Sequence, residues 1–250
     1  MRQPLVAGNW KLNGSLASVK ELLSGIKAGL GEVTNAEVAV CPPYIFIPEA
    51  QAQLTGSSIA WGGQNLSAEA GGAFTGEVAA SMLRDFGCKY VLVGHSERRT
   101  LYGEDNALVA KKFAVAREAG LIPILCVGET LEERQQGITE NVVGGQLAAV
   151  IDQQGVTALS GAVVAYEPVW AIGTGMTASP EQAQAVHAFI RTQVAQHDAA
   201  VADGVRILYG GSMKPGNAVE LMGQADIDGG LIGGAALKAD DFLSICKAAN

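Results

Sequence analysis

An α/β barrel of eight parallel strands is the architecture this sequence predicts, on three observations. Short apolar runs alternate with longer amphipathic stretches from one end of the 250-residue chain to the other. Eight such runs occur, the number that closes a βα array on itself. The runs are apolar nearly throughout, as in strands buried on both faces. Hydrophobic residues make up 48% of the chain and charged residues 17%, ample material for a large core. An open doubly wound sheet is the competing arrangement. No Pro/Ser-rich linker or low-complexity segment interrupts the alternation, so a single domain is expected over residues 1–250.

The first run, residues 5–10, leads to Lys11 and an amphipathic stretch over 16–30. The second covers 37–41 and the third 58–64, after which a polar, Gly-rich segment precedes a helix over 79–86. The fourth, 90–94, ends at His95 and is followed by a helix over 107–119, with Gly120 as its C-cap. The fifth, 122–127, is followed by a helix over 139–153. The sixth, 162–166, ends at Glu167. Pro168 then restricts Glu167 to extended geometry, and Gly173, Thr174 and Gly175 permit unusual dihedrals in a hinged segment. Ser179-Pro180-Glu181 supplies an N-cap, a first-turn proline and an acid, opening a helix expected over 180–199. The seventh run, 206–209, and the eighth, 227–232, are followed by helices over 215–222 and 240–248.

A formal net charge of -8 with no dense Lys/Arg cluster argues against nucleic acid or an anionic membrane as partner. The apolar run at 5–7 is too short for a signal peptide, and none reaches membrane-spanning length. Cys41, Cys88, Cys126 and Cys246 are widely spaced without CxxC pairing and read as reduced core thiols of a cytoplasmic protein. Three scattered histidines make no metal set, and neither a Walker A pattern nor a dinucleotide fingerprint occurs, so no cofactor and no metal are expected.

In a barrel, chemistry collects at the C-terminal ends of the strands. There the sequence places Asn9 and Lys11, His95, Glu167, Ser212 and the glycine pairs around Gly233 and Gly234. Each has a plain reading: Lys11 as the exit of a strand to solvent, Glu167 as a strand end before a surface loop, a glycine pair as a tight turn. His187 and His197 fall in the helical stretch 180–199 and are expected to be structural or solvent-facing. A carboxylate base with a histidine and a lysine suits proton abstraction beside a carbonyl, where an enediolate must be stabilised. A Schiff base on Lys11 is a different use of that lysine and leaves Glu167 and the hinged segment without a role. Loops after strands seven and eight form the usual phosphate site of such barrels.

Five motifs in order, AGNWKLNG at 7–14, VGHSERR at 93–99, AYEPVWAIGTG at 165–175, YGGS at 209–212 and DGGLIGGAAL at 228–237, resemble the triosephosphate isomerase family over essentially the whole chain. The resemblance implies a TIM barrel that interconverts dihydroxyacetone phosphate and D-glyceraldehyde 3-phosphate through an enediolate, in glycolysis and gluconeogenesis. Glu167 would move the proton, a neutral His95 would donate to the substrate oxygens, Lys11 would polarise the substrate, and Asn9 would help hold the enediolate oxygen. Phosphate binding would fall to backbone amides of Gly173, Ser212, Gly233 and Gly234; Ser96 and Glu97, the latter as the partner of Lys11, would be supporting residues. The segment 64–76, including Phe74 and Thr75, resembles a loop that inserts into a second subunit, which implies a homodimer. Met176 departs from the lysine that many relatives carry at the far hinge. Two other readings stand beside this one: another cofactor-free sugar-phosphate isomerase, and a silent barrel that binds phosphate ligands. A silent descendant is expected to lose one of Lys11, His95 or Glu167, and all three are present.

Overall fold

A computed structural model describes residues 2–250. Eight strands close into an all-parallel barrel in chain order: β1 (Leu5–Asn9), β2 (Glu37–Cys41), β3 (Ile59–Gly63), β4 (Tyr90–Val93), β5 (Ile122–Val127), β6 (Val163–Tyr166), β7 (Arg206–Tyr209) and β8 (Gly229–Ile232), with β8 returning to pair with β1. The open doubly wound alternative is thereby excluded. The helices are α1 (Leu16–Gly29), α2 (Ile47–Leu54), α3 (Ala80–Asp85), α4 (Ser96–Tyr102), α5 (Asn106–Glu118), α6 (Leu131–Gln135), α7 (Thr139–Gln154), α8 (Pro180–Ala195), α9 (Ala199–Gly204), α10 (Ala218–Met222) and α11 (Ala239–Lys247).

The double burial of the strands explains their apolar runs. One set of alternating residues, among them Leu5, Ala7, Leu92, Ile124, Val163 and Leu208, fills the barrel interior. The other set, including Val6, Val38, Val91, Leu125, Val164 and Ile207, packs outward with the helices. Each buried Leu, Ile or Val contributes about 1.5–3 kcal/mol relative to exposure, so the alternation of faces, not any single contact, holds the barrel closed. At its N-terminal end Arg206 donates to Glu37 at 2.8 Å and to the Tyr90 hydroxyl at 3.0 Å, while Lys89 also pairs with Glu37. Burial works against a charge on Glu37, yet Lys89, Arg206 and Tyr90 outweigh it and hold its carboxyl down at about 2.

Four short helices, α2, α4, α6 and α9, lie outside the expected segments; at five to eight residues each, none carries enough apolar residues in period to stand out from a loop. The helix expected over 180–199 breaks instead after Ala195. Asp198 turns back to accept from the N–H groups of Ala200 and Val201, capping α9 and ending the continuous period. His197 therefore sits in the intervening turn, exposed. His187 is fully buried in α8, edge-on to Tyr166, with Nδ1 3.1 Å from the Asp226 carbonyl.

Burial pushes the His187 imidazole down to about 4. An unfolded chain takes up that proton near pH 6.5 and the folded chain only near pH 4. Stability is therefore full above pH 6.5 and is lost as pH falls towards 4, by about 3 kcal/mol from this residue. Urea midpoints at pH 7 and pH 4.5 are expected to differ less in His187→Gln than in the unsubstituted protein; an identical difference would show that His187 contributes nothing to acid sensitivity.

Candidate active site

The C-terminal end of β1 leaves the barrel through a strained turn. Lys11 has φ 51, the one positive value outside glycine among the described residues, a conformation that costs about 1–2 kcal/mol in an L-residue. Two hydrogen bonds hold it: the Lys11 N–H donates to the Asn9 side chain at 3.0 Å, and Gln64 Nε2 donates to the Lys11 carbonyl at 2.9 Å. Gln64 also donates to the Cys41 carbonyl, tying the ends of β2 and β3 to this turn. The strain thus aims the Lys11 side chain across the barrel mouth, where its ammonium meets Glu97 at 2.6 Å.

His95 follows β4 as the N-cap of α4. Its Nδ1 accepts from the Glu97 N–H at 3.2 Å, and its Nε2 lies 2.8 Å from Glu167 Oε1. An amide N–H aimed at Nδ1 requires a lone pair there, so the ring proton sits on Nε2 and is donated to the carboxylate. Burial disfavours the imidazolium, but the neighbouring Glu167 charge raises the histidine's affinity for a proton on balance.

Glu167 follows β6 and is buried, at 2% exposure. Its other oxygen accepts from the Ser96 N–H at 2.9 Å, at the start of α4. Burial alone would raise its pKa. His95, the Ser96 amide and Lys11 together outweigh burial and hold the carboxyl below the ordinary value, so the group is ionised at neutral pH. Its backbone is fixed by its own N–H to the Val127 carbonyl at 2.7 Å, and Gly210 donates to the Tyr166 carbonyl at 2.7 Å.

The hinged segment begins at Pro168. Its near end is held by the fully buried Glu129, which accepts from Trp170 Nε1 and the Tyr166 hydroxyl, both at 3.0 Å, and from Arg134 at 3.2 Å. Ser212 donates to the Ala171 carbonyl through both its N–H, at 3.2 Å, and its hydroxyl, at 2.7 Å. The far end reaches the Tyr209 hydroxyl through the Ala178 N–H at 3.4 Å. Between these ties residues 173–177 are exposed, with Gly173 at φ 69 and Gly175 at φ 83. This is a span anchored at both ends and exposed in its middle, where Thr174 Oγ1 donates back to the Trp170 carbonyl at 2.7 Å.

One cavity of about 300 Å³ brings the ends of five strands together. Asn9, Lys11, His95, Glu167, Gly173, Ser212, Gly233 and Gly234 all line it. Ser96 and Glu97 lie just behind, in contact with Glu167 and Lys11. Thr75 lies elsewhere, in the exposed 70–77 tip of the segment after β3. Among the described residues no group of three or more His, Cys, Asp or Glu is placed to hold a metal ion.

Four positioning residues escaped the sequence reading. Gln64 and Glu129 are described above. Arg99 donates to the Gly94 carbonyl at 2.8 Å and the Cys126 carbonyl at 3.2 Å, fixing the turn that carries His95. Gln146 brackets Gly128 from both sides, accepting its N–H at 2.7 Å and donating to its carbonyl at 3.1 Å. Gln64 carried a visible signal, a polar side chain closing an apolar run. Gln146 carried none, because a glutamine within an amphipathic helix reads as a solvated face.

The family described as triosephosphate isomerase matches residues 4–249 of the chain. The chain is 64% identical to the triosephosphate isomerase of Dechloromonas aromatica over all of both chains. It is 64% identical to that of Thiobacillus denitrificans, over 100% of this chain and 99% of the relative, and 58% identical to that of Nitrosococcus oceani over all of both.

Proposed function

Since the chain belongs to the triosephosphate isomerase family and interconverts dihydroxyacetone phosphate and D-glyceraldehyde 3-phosphate, we propose that Glu167, His95, Lys11 and Asn9 perform the proton transfers, acting as one unit over residues 1–250. The observation that carries this is the pair of contacts at Glu167. An ionised carboxylate is held by His95 Nε2 and the Ser96 N–H inside a cavity lined by Lys11.

Glu167 leaves Ser96 for the substrate, removes a proton from the carbon beside the carbonyl, and returns it to the neighbouring carbon. Charge that develops on the substrate oxygens is met by the Nε2 proton of His95, by the Lys11 ammonium and by the Asn9 amide. His95 can donate from its neutral form because Nδ1 already accepts the Glu97 amide. The phosphate lies against the backbone at Gly173, Ser212, Gly233 and Gly234. For Ser212 this requires exchanging its present acceptor, the Ala171 carbonyl, for phosphate oxygens, which couples phosphate binding to movement of the hinged segment. Closure of that segment over the intermediate excludes water and limits loss of phosphate. The reaction needs no group beyond these side chains and amides.

The active species is a homodimer. Phe74, 48% exposed, stands at a Gly-rich tip, and Leu12, Ile45, Met82, Leu101 and Tyr102 are further large apolar side chains left in solvent. The protein works in the cytoplasm: burial pushes all four thiols up, keeping them as inert thiols. No helix among the described residues is long and apolar enough to cross a membrane. A single experiment tests both activity and assembly. Fractions resolved by sedimentation are assayed with D-glyceraldehyde 3-phosphate, and turnover is expected in the species of twice the chain mass. Full activity in a monomer would remove the dimer, and no turnover in any fraction would remove the catalytic assignment.

A further inference from the structure

Charge at the cavity mouth is unevenly matched. Lys11, Glu167 and Lys214 are the charged residues that line it beside the neutral His95. Lys11 is already opposed by Glu97 at 2.6 Å. Lys214 is exposed and, among the described residues, has no carboxylate oxygen within 4.0 Å. Its backbone is nonetheless held: the Lys214 N–H donates to Asn217 Oδ1 at 2.7 Å, the Asn217 N–H donates to the Lys214 carbonyl at 3.1 Å, and Asn217 Nδ2 donates to the Ser212 carbonyl at 3.1 Å. One asparagine thus fixes the base of Lys214 and the phosphate-facing Ser212 in a single turn.

We propose that Lys214 is a substrate-capture residue, its unopposed ammonium drawing the phosphate dianion to the end of the cavity formed by Ser212, Gly233 and Gly234. The inference rests on the placement of the substrate phosphate given above. The chain carries a net charge of -8 and repels a dianion at long range. Screening limits both that diffuse repulsion and the pull of an exposed cation to roughly 8–10 Å at physiological salt, so a cation at the mouth itself acts on a dianion at the point of entry. Amides at Gly233 and Gly234 hold a phosphate that has arrived. They are dipoles with short reach, and do not recruit it.

Lys214→Gln and Lys214→Arg test this in the intact enzyme, with kcat and KM for D-glyceraldehyde 3-phosphate measured across ionic strength. At roughly 10 mM ionic strength, kcat/KM of the Gln variant is expected to fall about threefold to tenfold, carried by KM, and the deficit to shrink below about twofold near 0.3 M. The Arg variant restores the low-salt value. The ratio of kcat/KM for the triose phosphate to that for glyceraldehyde, which lacks the phosphate, falls by the same factor in the Gln variant. A deficit independent of salt, or shared equally by glyceraldehyde, would assign Lys214 a structural role and overturn the proposal. So would an unchanged low-salt kcat/KM. Failure of the unsubstituted enzyme to turn over, by contrast, would strike the placement of the reaction itself.

Discussion

Replacement of Glu167 by glutamine is expected to lower kcat by about 10²- to 10⁴-fold, the usual contribution of a positioned general base. The substitution keeps the volume and shape but leaves one acceptor oxygen where two donors, the Ser96 N–H and His95 Nε2–H, converge, so one of these two contacts is lost while the fold is retained. What it removes is the proton-accepting charge that His95, the Ser96 amide and Lys11 stabilise against burial. Glu167→Asp probes position instead of charge. Shortening the side chain by one methylene withdraws the carboxylate by about 1 Å, and a misplacement of that size costs about 10²-fold. Steady-state assays with D-glyceraldehyde 3-phosphate check both, with circular dichroism confirming the fold. Turnover within tenfold of the unsubstituted enzyme in the Gln variant would exclude Glu167 as the base.

Gly128→Ala is expected to be nearly as damaging, although Gly128 carries no functional group. It follows β5, beside the backbone of Glu167. A Cβ added there would lie 1.8 Å from the Glu167 carbonyl oxygen, and the atom it meets is backbone, so no side-chain rotation relieves the clash. Gln146 grips the Gly128 peptide from both sides, which prevents Gly128 from giving way. Relief must come from the other partner, by pushing the end of β6 outward and taking Glu167 with it. The expected result is a loss of more than about 4 kcal/mol in stability, with kcat reduced by about 10² or more in whatever remains folded. Urea unfolding and turnover of the folded fraction check the two parts. A variant of ordinary stability and activity would show that the β5–β6 approach is not rigid. In that case the placement of Glu167 would rest on Ser96 and His95 alone.

The barrel was legible because its strands are buried on two faces, so that β5 and β6 read as unbroken apolar runs. Helix α6 was illegible because its five residues, LEERQ, include one apolar side chain and so show no period. The break after Ala195 was missed because Asp198 within an amphipathic stretch looks like a solvated helix residue until its carboxylate is seen capping α9. His187 and His197 were indistinguishable in the sequence, yet one is fully buried beneath β6 and the other lies in an exposed turn.

By itself the sequence determined the eight-fold alternation and the polar residues that end its strands, because burial and the exit from burial are written locally in residue type. It also determined, through five ordered motifs, the family to which the chain belongs. Only the tertiary structure decided how those ends meet. The distance of 2.8 Å between His95 and Glu167, the strain at Lys11 supported by Gln64, the tie of Ser212 to Ala171 and the grip of Gln146 on Gly128 all join residues from different βα units. Barrel closure sets such contacts, because only a closed sheet brings the ends of β1, β4 and β6 around one cavity, and no local period encodes that geometry.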